Sequence, residues 1–197
     1  GFDIDRLYSR PDIRQPITAE MMTKMSNALV RVCFSNYESY LFWAAFSLAF
    51  GAFLRVGEIT IRSVNDMGYV LQKDDVTMDF NKNVIYVTIR FSKTDQRGLT
   101  TTLALKSNSS LMSALSNYNS ARPKQNDLYF CHLDGKAMTR YQFHSILTKT
   151  LQFLDYDVKR FNTHSFRIGA ATHAFLNGKS EEEIKNMGRW RSSSFKR

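Results

Sequence analysis

His164 and Arg167 stand three residues apart in Thr163-His164-Ser165-Phe166-Arg167, and Thr163 is of a type that caps helices. That spacing puts both side chains on one face of a first helical turn. Main-chain N–H groups point out there too, so the arrangement can hold an anion. Alone the pattern is weak, because a satisfied histidine beside a surface arginine has the same spacing. Arg55-Val56-Gly57-Glu58 pairs a guanidinium with a carboxylate three residues on. Such a carboxylate can fix the guanidinium's orientation, although an ordinary helix-end salt bridge looks identical. Lys93 sits in the polar run Ser92-Lys93-Thr94-Asp95-Gln96-Arg97-Gly98, either as a solvated loop lysine or as a cation carried to a ligand. Trp190, between Arg189 and Arg191, offers an indole N–H. No Cys/His cluster has zinc spacing. Gly178-Lys179-Ser180 is not a phosphate loop, since His173 stands where that motif needs glycine.

The elements that would position these groups follow from periodicity. Residues 1–17 look like an extended lead-in broken by Pro11 and Pro16. Thr18 should cap a helix over about 19–31. A second helix, about 38–50, is apolar on most of its surface and should be central. Gly51 and Gly57 bracket a turn that carries Arg55 and Glu58. Residues 69–71, 84–91 and 99–105 are rich in strand-forming types, the last two flanking the Lys93 connection. Helical patterns return at about 109–121, 139–153, 164–177 and 180–187. The expected fold is α+β: a mostly helical body with one small antiparallel sheet.

A chain of 197 residues with 43% hydrophobic and 23% charged residues can bury a sizeable core. The apolar stretch 41–54 is too short to span a bilayer, and Asp3, Asp5 and Arg6 occupy the place of a signal peptide's apolar segment. Cys33 and Cys131 lie among apolar neighbours and read as reduced, buried thiols of an intracellular protein. The net charge is +9. Residues 159–197 carry nine basic groups against three acidic, and residues 90–106 four against one. The excess therefore surrounds the candidate residues, as suits a polyanion such as nucleic acid.

The order and spacing of these segments carry more than any one of them. An Arg-Val-Gly-Glu follows the apolar helix in Leu48-Ala49-Phe50-Gly51-Ala52-Phe53-Leu54-Arg55-Val56-Gly57-Glu58. A Ser-Lys-Thr-Asp connection comes about 40 residues later. Thr163-His164-Ser165-Phe166-Arg167-Ile168-Gly169-Ala170-Ala171-Thr172 and Gly188-Arg189-Trp190-Arg191-Ser192-Ser193-Ser194-Phe195 complete the set. From about Pro16 to the end, the chain resembles the catalytic domain of the tyrosine recombinases, the group of phage integrases and Cre-like enzymes. Its texture is closest to the eukaryotic mobile-element recombinases of the DIRS, Ngaro and Crypton kind.

The resemblance implies DNA strand breakage and rejoining through a 3′-phosphotyrosine, without metal or other cofactor. It makes Arg55, Lys93, His164, Arg167 and Trp190 the catalytic set, with Glu58 supporting the first arginine. Arg90, Arg97, Arg189, Arg191 and Lys196 are the expected DNA contacts. The expected partners are double-stranded DNA and further copies of the chain in a synaptic complex, with no membrane. The expected location is the nucleus, or the cytoplasm for a prokaryotic source. The family's nucleophilic tyrosine follows the tryptophan by eight or nine residues, whereas the last tyrosine here is Tyr156. Residues 18–197 are thus expected to be a catalytic domain truncated just before its nucleophile. Residues 1–17 would then be the linker from a missing N-terminal DNA-binding domain. A domesticated DNA-binding domain without cleavage and a type IB topoisomerase are the alternatives.

Overall fold

Thr18 accepts the Met21 N–H through its side chain at 3.1 Å and so starts α1, Ala19–Val32. This computed structural model describes residues 14–90, 100–106 and 108–190. Ser35 caps α2, Asn36–Gly51, in the same way, accepting from Glu38 N–H. The cap explains why α2 begins before the expected residue 38. Three helices follow the sheet: α3, Ser109–Ala121; α4, Arg140–Phe153; and α5, Ser165–Leu176. A short α6, Glu181–Met187, comes last.

α2 lies at the centre, as its all-round apolar surface demands. Leu41, Ala44, Ala45, Phe46 and Leu48 are fully buried. Phe46 meets Phe143 of α4 edge-on at 4.9 Å and Phe166 of α5 at 5.1 Å. Phe166 immediately precedes Arg167, so this aromatic contact fixes the height at which Arg167 enters the molecule. A polar tie joins the same helices elsewhere. The Glu38 carboxylate lies 2.8 Å from His132 Nδ1, and His132 Nε2 lies 2.8 Å from Gln142 Oε1. Cys131 is buried and Cys33 half-buried, both free, and burial pushes the Cys33 thiol up to about 11.

The sheet is antiparallel in the order β1-β2-β3, with β1 Val76–Asp79, β2 Val84–Ile89 and β3 Thr101–Lys106. Ile85, Val87 and Ile89 turn one face of β2 into the core. Ile89 pairs with Thr101, so β2 and β3 flank the Lys93 connection as expected. One expectation fails: residues 69–71 form no strand. Val70 and Leu71 are buried, but the main chain of Leu71 bonds to Glu58 and Tyr129, one on each side, and joins no ladder. The first strand is instead Val76–Asp79, whose apolar run is too short to stand out in sequence.

Residues 14–17 cross the start of α5, with Ile17 N–H donating to Ser165 O at 3.0 Å. The crossing is so close that a Cβ on Gly169 would lie 1.9 Å from Ile17 O. Main chain cannot retreat from that overlap as a flexible side chain could. Gly169→Ala is therefore expected to cost about 3 kcal/mol, seen as a fall of roughly 10 °C in Tm for a chain of this size. A melting temperature unchanged in Gly169→Ala would show that the lead-in does not pack where the structure places it.

Candidate active site

The end of α2 builds one wall. After Gly51 and Ala52 the chain turns through Phe53, whose φ of 54° is left-handed although it is not glycine. That conformation costs roughly 1–2 kcal/mol. It aims the Phe53 carbonyl at two guanidiniums: Arg167 Nη1 donates to it at 2.6 Å and Arg189 Nη2 at 3.3 Å. Two residues on, exposed Arg55 opens the 3₁₀ turn Val56–Glu58, and its N–H donates to Glu58 Oε1 at 2.7 Å.

α5 supplies the opposite wall. The expected cap Thr163 is displaced by one residue: His164 is the N-cap, and Asn162 Oδ1 accepts its N–H at 2.9 Å. His164 is exposed at the helix mouth, while Arg167 one turn later is only 3% exposed. Arg167 Nη2 donates to Gly188 O at 3.0 Å, and the guanidinium carbon lies 4.3 Å from the centre of the Trp190 ring. Burial, with Arg55 and Arg189 close by, pushes its guanidinium down to about 9, while Glu58 acts in the opposite sense. A cation held in that state is under electrostatic load, which an approaching anion would relieve.

Residues 188–190 close the third side. Phe53, Ala170, Ala171, Ala174 and Ile184 form a small cluster against which Trp190 packs. The Trp190 ring stands edge-on to Phe53 at 6.2 Å. Glu58 accepts from the Arg55 main chain and is also the partner of Arg189, with Nη1 at 2.6 Å from Oε2 and Nη2 at 2.8 Å from Oε1. Sequence separation hides this pair, since its members lie 131 residues apart.

Arg55, Glu58, Arg167 and Trp190 are thus brought together, with His164 one turn from Arg167. Lys93 falls outside the described residues, as do Arg97, Arg191 and Lys196. The other two expected DNA contacts both have carboxylate partners. Arg90 Nε lies 2.7 Å from Asp75 Oδ2, with its side chain 38% exposed. Arg189 is 14% exposed in the fork of Glu58. What the residue types could not reveal is the part played by the Phe53 and Gly188 carbonyls, because a main-chain oxygen has no signature in sequence. Among the described residues no group of three His, Cys, Asp or Glu could hold a metal ion. Among them, too, no helix is long and apolar enough to cross a membrane.

Comparison with known proteins identifies the family and the fold. The sequence profile described as the phage integrase family matches residues 17–196. No curated protein sequence gives a match. Among solved structures, XerH site-specific recombinase bound to palindromic difH substrate superposes with a TM-score of 0.70 at 15% identity, covering 94% of this chain and 49% of that one. A lambda integrase dimer bound to a COC′ core site gives 0.65 at 14%, over 93% and 47%. The Tn1549 transposon integrase in complex with circular intermediate DNA gives 0.63 at 15%, over 95% and 60%. The chain thus spans about half to three-fifths of these proteins' lengths, and the likeness shows a common fold.

Proposed function

The chain belongs to the phage integrase family, and from that premise we propose that it breaks and rejoins DNA strands in site-specific recombination. The observation that carries this reading is the meeting of the Arg55 turn with Arg167 across more than a hundred residues, with the Trp190 ring at 4.3 Å. The Arg167 guanidinium, held by main chain and aromatic packing with Arg55 beside it, is a preorganised donor for a charge that grows on non-bridging phosphate oxygens, and Arg55 is a second. They fill the electrostatic role that another enzyme gives to a metal.

In this reading a tyrosine oxygen attacks the phosphorus and the bond from phosphorus to the 5′-oxygen breaks. The products are a 3′-phosphotyrosine and a free 5′-hydroxyl. Arg55 and Arg167 carry the developing charge, and the Trp190 N–H adds a neutral donor. Lys93 protonates the leaving 5′-oxygen, and His164 takes the nucleophile's proton or orients the phosphate. Rejoining reverses each step. Supporting a DNA partner are the +9 charge and two fold neighbours, the Tn1549 integrase in complex with circular intermediate DNA and the lambda integrase dimer bound to a core site. Self-association on DNA is part of the same reading.

The test is a nicked duplex whose short 5′-hydroxyl fragment diffuses away after cleavage, offered to protein that carries the nucleophilic tyrosine. A covalent protein–DNA adduct that Tyr→Phe abolishes is the expected result. Binding without any adduct would reduce the protein to a DNA-binding domain. Relaxation of supercoils with no strand transfer between two sites would make it a topoisomerase.

A further inference from the structure

Arg189 occupies a position where the chain's geometry calls for glycine. α6 ends at Met187 with Gly188 as its cap. Arg189 N–H then donates to Asn186 O at 3.2 Å and Trp190 N–H to Lys185 O at 3.0 Å. That pair of bonds is the Schellman ending, in which the residue after the cap is left-handed and is usually glycine. Here that residue is Arg189, at φ 59°. A side chain kept in so unfavourable a conformation needs a compensating interaction. The compensation is visible: both terminal nitrogens of Arg189 lie in the Glu58 fork at 2.6 and 2.8 Å, and Nη2 also reaches Phe53 O. Bidentate pairs of this kind are the strong, directional ones.

The left-handed turn has a second consequence. It folds Trp190 back over Gly188 so closely that a Cβ on Gly188 would meet the ring at 1.7 Å. The ring is thereby laid against the Arg167 guanidinium. Glu58 belongs to the Arg55 turn, and Phe53 O is shared by Arg167 and Arg189. One side chain therefore ties the Arg55 turn, the Arg167 acceptor and the Trp190 segment together.

We propose that Arg189 is a positioning residue of this site: clasped by Glu58, it holds Trp190 in register with Arg167 and Arg55 and makes no DNA contact itself. The proposal rests on the reading of this site as a strand-cleavage centre. Its role replaces the DNA contact expected from sequence, since a phosphate would have to compete with a carboxylate already seated in the same fork.

Arg189→Gly isolates the clasp, because glycine keeps the left-handed turn and the helix ending while removing the guanidinium. It is made in a Trp43→Phe background, so that Trp190 is the sole indole. The expected results are a Tm within a few degrees of the parent, a red-shifted and more readily quenched Trp190 emission, and unchanged DNA affinity and salt slope. Cleavage should fall on the order of 10²-fold, the cost of a small misplacement of catalytic groups. Glu58→Gln should change emission in the same direction, and Glu58→Gln with Arg189→Gly should be no worse than Arg189→Gly alone, because both break one pair. Arg189→Lys should restore emission only in part, since an ammonium cannot fill the fork. A Trp190 emission unaltered by Arg189→Gly would overturn the clasp. So would a tenfold weaker DNA affinity with a salt slope reduced by about one, the mark of a lost phosphate contact. Tighter DNA binding by Glu58→Gln would likewise show Arg189 to be a DNA contact that Glu58 restrains. Cleavage is read in protein that carries the nucleophilic tyrosine; should no variant of it, parent included, cleave DNA, the function reading fails, while the emission and binding results still decide the clasp.

Discussion

Replacing Arg167 by alanine is expected to slow strand cleavage roughly 10²–10³-fold, the cost of removing one preorganised donor, while DNA affinity changes far less. Arg167 is one of 27 basic residues and is only 3% exposed, so it contributes little to the long-range attraction of DNA. At the site it lies beside Arg55, where charge rises as the nucleophile attacks, so its help is greater in the transition state than in the ground state. Two of its five N–H donors go to Phe53 O and Gly188 O. Those bonds hold the guanidinium in one plane under Trp190 and leave the other donors for phosphate. Arg167→Lys should recover little, because a single ammonium cannot serve two carbonyls and a phosphate in one planar array. Orphaning the carbonyls costs about 1–3 kcal/mol each, so thermal melts must accompany single-turnover rates and DNA affinities. A folded Arg167→Ala protein that cleaves at the parent rate, or loses binding as much as cleavage, would show that the phosphate does not sit at Arg167.

Lys93→Ala is expected to slow cleavage of ordinary DNA about 10²–10⁴-fold, the range for loss of a general acid. A duplex with sulfur in the 5′-bridging position should be cleaved by the variant nearly as fast as by the parent. A thiol, with a pKa of about 8.5, leaves without protonation far more readily than an alcohol. The base of the connection that carries Lys93 is anchored on both strands. Ile89 pairs with Thr101, and Arg90 is held by the buried Asp75 carboxylate at 2.7 Å. Equal defects on the two substrates would remove Lys93 from proton transfer and leave it as a positioning cation.

The helices were legible because each has its own local signature. Thr18 and Ser180 cap helices by bonds to residues three positions on, and the apolar residues of α1 recur at helical spacing. β2 and β3 were legible because each is a six-residue run of alternating or β-branched residues beside a polar connection, the pattern of a hairpin. β1 was missed for the converse reason: Val76–Asp79 is four residues long and is a strand only because β2 lies beside it. The run 69–71 was misjudged because burial and strand formation favour the same residue types, and only the partners of its main chain separate them.

By itself the sequence determined the helices and two of the three strands and the charge that favours a polyanion, and its motifs, through the family resemblance, singled out Arg55, Glu58, His164, Arg167 and Trp190. Those are matters of residue type and local spacing, and both survive in a linear string. Tertiary structure alone decided who holds whom. Glu58 stands three residues after Arg55, and proximity in sequence suggests a pair within the turn. Its carboxylate does accept the Arg55 N–H, but it also clasps Arg189, which arrives from the far end of the chain. Arg167 is kept in place by the carbonyls of Phe53 and Gly188, atoms every residue possesses and no sequence distinguishes. The left-handed turns at Phe53 and Arg189 were equally hidden, since neither residue type announces that conformation. They exist because the packed molecule supplies hydrogen bonds at both positions that outweigh the local strain, and only the assembled fold brings those partners within reach.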